Sequence, residues 1–256
     1  MSAFMSAFAS LVGSLADLLQ PFFQTASTAA AIVLFTALVR LAVHPLSRAA
    51  ARGQKARIRL QPQISALREK HGKNPERMQK ALMELHASEK VSPLSGCLPS
   101  LLQMPAFFLL YHLFSSARIG GEPNALLSHR LFEAPLGARW HDALGEGGVF
   151  GAQGLVYLAL FVIVAAVATF NYGRTKRQMA ASPMTPATGP DGQPVPGMGA
   201  MTKLMPLMSF MTLFTVAFVP LAAALYVVTS TTWTAIERAF LYRDMTAPDT
   251  AMATAA

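Results

Sequence analysis

The polar side chains set within apolar sequence are few, and their types suit binding more than bond-making. Arg40 stands inside the apolar stretch Ala26 to Leu46 and is the only formal charge between Asp17 and Arg48. A guanidinium is permanently charged, which suits the attraction of carboxylates. Thr36 lies one helical turn earlier on the same face, and Gln103 is a lone amide between Pro99 and Pro105. Thr229, Ser230, Thr231, Thr232 and Thr234 put five hydroxyls within six residues around Trp233. Covalent chemistry has no comparable support, because the apolar segments hold no HExxH, no paired aspartates and no serine–lysine or serine–histidine dyad. His44 beside Pro45 reads as a helix end rather than a metal or catalytic site, and the single Cys97 reads as a packing residue. No enzyme activity, cofactor or metal is expected.

The elements that carry these residues belong in a membrane. Of the 256 residues, 53% are hydrophobic and only 13% are charged, against about 25% charged in soluble domains. One cysteine excludes an internal disulfide framework. The net charge of +8 is judged by its distribution, and no direct nucleic-acid recognition is read into it. Apolar runs predict transmembrane helices over 26–46, 93–116, 152–172, 203–219 and 220–240, with a tight reversal at Pro220 separating the last two. Most approach the ~20 residues that cross ~30 Å of hydrocarbon, and 203–219 is short.

The basic residues orient these spans. Segment 47–92 holds eleven Lys and Arg, segment 173–203 four and the stretch after Ile236 two, while 117–151 holds three. The positive-inside rule then places 47–92, 173–202 and the 241–256 tail in the cytoplasm, and the 117–151 loop outside. The fold expected is all-α, with five transmembrane helices, N-out and C-in. No basic n-region or small-residue cleavage site precedes Ala26, so a cleaved signal peptide is not expected. Within 1–25, Phe4, Phe8, Leu11, Leu15, Leu18 and Phe22 recur at three- and four-residue intervals and predict an amphipathic helix at the outer interface.

Segment 47–92 is polar but patterned as a helical hairpin. Asn74-Pro75-Glu76 supplies an N-cap, a proline at the first helical position and an early acid. Met78, Ala81, Leu82 and Leu85 face a matching stripe of Leu60, Ile64 and Leu67, with Gly72 ending the first helix and Pro62 starting or kinking its second half. Arg48, Arg52, Lys55, Arg57, Arg59, Arg68, Lys70, Lys73, Arg77 and Lys80 fall on the outer face. They read either as an anchor on anionic lipid or as a docking surface for a nascent chain, a ribosome or a targeting factor. Ser182–Gly199, with five prolines, reads as a cytoplasmic linker. Met198, Met201, Met205, Met208 and Met211 recur at helical spacing, and helix packing is preferred over a sliding surface for varied helices.

Arg40 itself has two readings. An arginine at a transmembrane helix centre costs about 2.5–3.5 kcal/mol on insertion scales, so it must face a partner, a cavity or water. Fourteen residues from Ala26 place it roughly 21 Å into a ~30 Å core, within reach of the cytoplasmic interface by snorkelling.

From Val39 to Phe114 the chain is similar to the YidC family of membrane protein insertases. The resemblance rests on Val39-Arg40, His44-Pro45-Leu46, Gln61-Pro62, Ala87–Pro93, Gly96-Cys97 and Gln103-Met104-Pro105, in the family's order and spacing. It continues through Lys203-Leu204-Met205, Pro220, Leu225-Tyr226, Ser230 and Leu241-Tyr242-Arg243. It implies a short bacterial form with the five-span core, in the bacterial inner membrane and without the large extracytoplasmic domain of longer members. It further implies a hydrophilic groove, open to cytoplasm and lipid, lined by Arg40, Thr36, Gln103, Tyr226, Ser230, Thr231 and Trp233. The partners implied are nascent membrane proteins with polar or acidic extracytoplasmic segments, together with the Sec translocon, the ribosome and the signal recognition particle receptor. Val227 stands where many members carry a second aromatic, so a substrate contact there is expected to be weaker or differently shaped. The alternative from another class, a small-solute or ion transporter or channel, would carry repeats or several intramembrane charges, and neither is visible.

Overall fold

The computed structural model describes residues 2–71, 74–89, 98–119, 121–181 and 204–242. The chain is mostly helical and divides into two compact units. Among the described residues, two helical stretches, Ser6–Ala56 and Ala152–Arg177, are long and apolar enough to cross a membrane, and Met205–Phe218 is apolar but shorter.

The first unit comprises Met1–Val43, Gln103–Asn171 and Ser209–Glu237. It opens with α1 (Ser2–Phe23), which ends where Gln24 adopts φ +46° and passes through a 3-10 turn, Gln24–Ala26, into α2 (Ser27–Arg59). The apolar stripe read from the sequence divides in the fold. Val12 and Ala16 are buried, with Phe8, Leu15 and Leu19 packed beside them, whereas Leu11, Leu18 and Phe22 face outward. The helix has two apolar faces, and only one of them meets the core.

Helix α5 (Leu98–Ser115) leads into a short ordered loop. Two minimal antiparallel hairpins, β1 (Arg118–Ile119) with β2 (Glu122–Pro123) and β3 (Arg130–Leu131) with β4 (Ala134–Pro135), flank α6 (Ala125–Ser128). Helix α7 (Trp140–Gly145) then precedes α8 (Ala152–Ala181). A Cβ on Gly154 would strike the backbone carbonyl oxygens of Gly148 and Val149, so glycine is what lets α8 start so close to its own loop. Phe210 closes a 3-10 stretch (Met205–Phe210) that runs into α9 (Met211–Phe218). Val219 and Pro220 break the chain before α10 (Leu221–Leu241). The break falls at Pro220, where the sequence divides the apolar tract, since proline is tolerated at a helix start but not inside. The core gathers Ile32, Phe35, Leu113, Phe114, Tyr157, Leu136 and Leu221–Val228.

The second unit comprises His44–Leu102, Tyr172–Met208 and Arg238–Ala256. Here the helix end expected at His44-Pro45 is corrected, because α2 runs through Pro45 to Arg59. Proline removes one backbone donor, but the Ala-, Arg- and Lys-rich segment Arg48–Arg59 has high helix propensity and carries the helix onward. Helices α3 (Gln61–His71) and α4 (Pro75–Ser88) pack on each other. Leu60 is buried, and Ile64, Leu67, Met78, Ala81, Leu82 and Leu85 are half-buried. Asn74 caps α4, its side chain accepting from the Arg77 amide at 3.0 Å, with Pro75 in the first turn.

Candidate functional site

Arg40 is drawn to α10. Its side chain is half-buried, Nε donates to Ser230 Oγ at 3.1 Å, and Nη2 reaches the same oxygen. Ser230 is neutral, so these bonds orient the guanidinium without cancelling its charge. One turn before Ser230, Tyr226 is buried in electrostatic reach of Arg40 and in hydrogen-bonding reach of Ser230. Its ring is held between Phe107 and Phe114, each centroid 6.0 Å away. Phe107 also stacks on Tyr111 at 5.8 Å. Aromatic packing therefore fixes Tyr226 one turn before the serine whose oxygen Arg40 meets.

The rest of the hydroxyl cluster divides by what each oxygen bonds. Thr36 is buried and donates back to the Ile32 carbonyl at 2.7 Å. Thr231 bonds the Val227 and Val228 carbonyls at 2.8 and 3.1 Å, and Thr234 bonds that of Ser230 at 2.9 Å. Such back-bonds satisfy a hydroxyl inside apolar surroundings. Thr232 Oγ1 and Trp233 Nε1 are different: both are buried and neither has a partner among the described residues.

The start of α10 is closed by the loop. A helix leaves its first amides without intrahelical partners, and Leu221-Ala222-Ala223 has no polar side chain to cap them. Backbone carbonyls do so instead: the Leu221 amide donates to Ala138 and the Ala222 amide to Leu136, both at 2.9 Å. The Tyr157 hydroxyl donates to the same Ala138 carbonyl at 2.6 Å, and its ring packs on Trp140 at 5.7 Å. Asn124 ties down the loop's beginning. Its amide nitrogen donates to the Leu113 and Ser116 carbonyls at 2.8 and 3.0 Å, while its oxygen accepts from the Leu126 amide at 3.2 Å. Thr28 Oγ1 and His129 Nδ1 share a 2.8 Å hydrogen bond that joins the loop to the start of α2.

One permanent charge steered by a serine in an apolar helix, beneath a loop-capped end, accords with the family expected from the sequence. The family model of the 60Kd inner membrane protein matches residues 18–248, nearly the whole chain. The chain belongs to the 60Kd inner membrane protein family. Curated relatives named membrane protein insertase YidC include that of Polynucleobacter asymbioticus, 39% identical over 101 residues, which is 39% of this chain and 18% of the relative. That of Tolumonas auensis is 44% identical over 97 residues, 38% of this chain and 18% of the relative. That of Clostridium perfringens is 44% identical over 84 residues, 33% of this chain and 35% of the relative. The matched stretches thus cover 18–35% of these relatives' own lengths.

In this member of the 60Kd inner membrane protein family, the fold brings Arg40, Tyr226 and Ser230 together. Thr36 and Thr231 stand on the same helices as these residues but spend their hydroxyls on their own backbone. Phe107, Phe114 and Asn124 were not singled out from the sequence. Asn124, which follows Pro123 and precedes an apolar helix, carries an N-cap signature that could have revealed it, whereas the aromatic pair gives no sign short of packing. The methionines also depart from expectation. Met205, Met208 and Met211 are 51%, 65% and 54% exposed rather than packed between helices of this chain. Arg48, Arg52, Arg59, Lys70, Arg77 and Lys80 are exposed, and Lys55 is half-buried. Gly72, Lys73, Cys97, segment 182–203 with Met198 and Met201, and the tail after Tyr242 lie outside the described residues. So do the side chains of Phe4, Arg57, Arg68 and Gln103.

Proposed function

We propose that this protein inserts integral membrane proteins and helps them fold, taking the polar or acidic extracytoplasmic segment of a nascent client against Arg40 while the client's apolar helix passes into lipid. The observation that carries this reading is a guanidinium held by Ser230, beside Tyr226, within the apolar first part of α2. A polar segment crossing bare hydrocarbon loses its water and gains nothing in return. A charge and hydroxyls part-way across replace some of that water and shorten the unfavourable path. Gln103, Thr36, Thr231 and Trp233 complete the wall of this hydrophilic groove, open to cytoplasm and lipid. The relatives' names and the family support the same activity, and the chemistry calls for no covalent step.

The reading includes five spans, N-out and C-in, in the bacterial inner membrane: the first part of α2, α5, α8, Met205–Phe218 and α10. Helix α5 is about 27 Å long and α10 about 31 Å at 1.5 Å per residue, close to the ~30 Å core. The short fourth element is helped by its 3-10 stretch, whose larger rise of ~2.0 Å per residue brings it to about 24 Å. The basic residues of α2, α3 and α4 form a cytoplasmic surface for the ribosome, the signal recognition particle receptor and the Sec translocon.

Reconstitution tests it. Liposomes holding only this protein are given a single-span client with an acidic tail, and the protease-protected fragment is measured. Protection that depends on the protein supports insertion. No protection, together with flux of ions or small solutes, identifies a channel or transporter instead.

A further inference from the structure

The second unit holds a pair of arginines, Arg174 and Arg238, that the insertion reading does not use. Arg174 lies near the end of α8, and its guanidinium sits 5.7 Å from the centroid of the Tyr242 ring. Arg174 Nη2 is buried, with no hydrogen-bond partner among the described residues. Arg238 lies within electrostatic reach of Arg174 and repels it, and the Tyr242 phenol lies beside it. Two guanidinium groups held near each other, one with a buried and unanswered donor, form a site that an anion would complete. Beside Leu241, the residue preceding Tyr242, a cavity of about 160 Å³ is lined by Arg48, Ala51, Arg52, Lys55 and Leu241. Lys176 and Arg177 are exposed on the same end of α8.

We propose that Arg174, Arg238 and Tyr242, extended by the basic cavity beside Leu241, bind the phosphate of one anionic phospholipid. Phosphate suits the pair because a guanidinium fork meets two of its oxygens at once, and a second arginine can take a third. A lipid is favoured over a soluble anion by position. The cluster lies where the apolar stretch Ala152–Arg177 gives way to charge, at the level where tyrosines such as Tyr172 and Tyr242 prefer to sit in a bilayer. Phe240, two residues from each of Arg238 and Tyr242, is 72% exposed and offers an apolar surface to the lipid's glycerol and chains. A headgroup with net negative charge is selected over a zwitterionic one, whose own amine competes with the arginines for the phosphate.

The test uses the full chain in detergent, titrated with phosphatidylglycerol or with phosphatidylcholine of the same acyl chains, and native mass spectrometry to count the first bound lipid. Phosphatidylglycerol should bind more tightly. Arg174→Gln and Arg238→Gln should each weaken it about fivefold, and the double variant about 25-fold. Arg174→Lys, which keeps charge but loses the planar fork, should fall between wild type and Arg174→Gln. The control Arg77→Gln/Lys80→Gln removes the same charge from α4 and should change binding less than about twofold if the site is local rather than a diffuse field. Circular dichroism checks that each variant folds, and should Arg174→Gln not fold, the exposed Arg238→Gln carries the test. Equal binding of the two lipids, equal loss in the α4 control, or displacement of the lipid by equimolar inorganic phosphate would each overturn the proposal.

Discussion

The two halves of α10 share a helix but not a chemistry. From Leu221 to Val228 every residue is buried, and the leading amides are bonded by the Ala138 and Leu136 carbonyls. Beyond that run, Ser230 accepts from Arg40, while Thr232 Oγ1 and Trp233 Nε1 are buried without partners among the described residues. An unanswered buried donor or acceptor costs about 1–3 kcal/mol, so two such atoms confined to one half, among the described residues, make the helix asymmetric. The satisfied half holds the helix in place. On the proposed function, the two unanswered atoms of the second half are free to meet a client's polar segment.

The comparison can be broken most forcefully at Arg40. Arg40→Ala should slow insertion of an acidic-tailed client about ten- to a hundredfold, the worth of a hydrogen bond to a charged group, while Arg40→Lys retains most activity. Equal protease protection with Arg40→Ala would show that the charge is dispensable for that client. At the loop-capped end the largest effect should be on stability. Asn124→Ala removes three hydrogen bonds and leaves the Leu113 carbonyl buried, so we expect a loss of about 2 kcal/mol, read as a lower unfolding midpoint in detergent. Insertion per folded molecule should be unaffected.

Ser230→Ala is milder and tests orientation alone. The guanidinium keeps its charge but loses its steering hydroxyl, and we expect a severalfold slower insertion, about 1 kcal/mol in barrier. No change in rate, alongside an intact response to Arg40→Ala, would assign the effect to charge rather than aim. The smallest effects lie at the unanswered groups. Trp233→Phe and Thr232→Val each remove a buried polar atom, so stability should hold steady or rise by up to about 1 kcal/mol. Insertion should fall nonetheless if clients use those atoms. A variant that gains stability and keeps full insertion would show that they serve no client.

Much of this was legible in the chain itself. Period and capping predicted α4 from Asn74-Pro75, and Pro220 announced the break before α10. The outlier status of Arg40 needed only a count of charges. Other features were illegible for physical reasons. Pro45 is a breaker by propensity, yet the helix-forming segment after it prevails. The stripe in α1 is apolar on two faces, and periodicity does not say which one a core will take. The five hydroxyls of α10 look alike in sequence, although Ser230 faces the arginine and Thr231 and Thr234 bond their own backbone.

Sequence by itself determined that the chain is a membrane protein, that one permanent charge stands in an apolar helix, and that the family is the one its motifs resemble. Composition and order carry such facts because hydropathy and charge act over whole segments. Tertiary structure decided which oxygen Arg40 meets, what caps α10, and which buried donors go unanswered. These depend on the direction of single side chains across nearly two hundred residues of chain separation, as between Arg40 and Ser230, and only packing sets that direction.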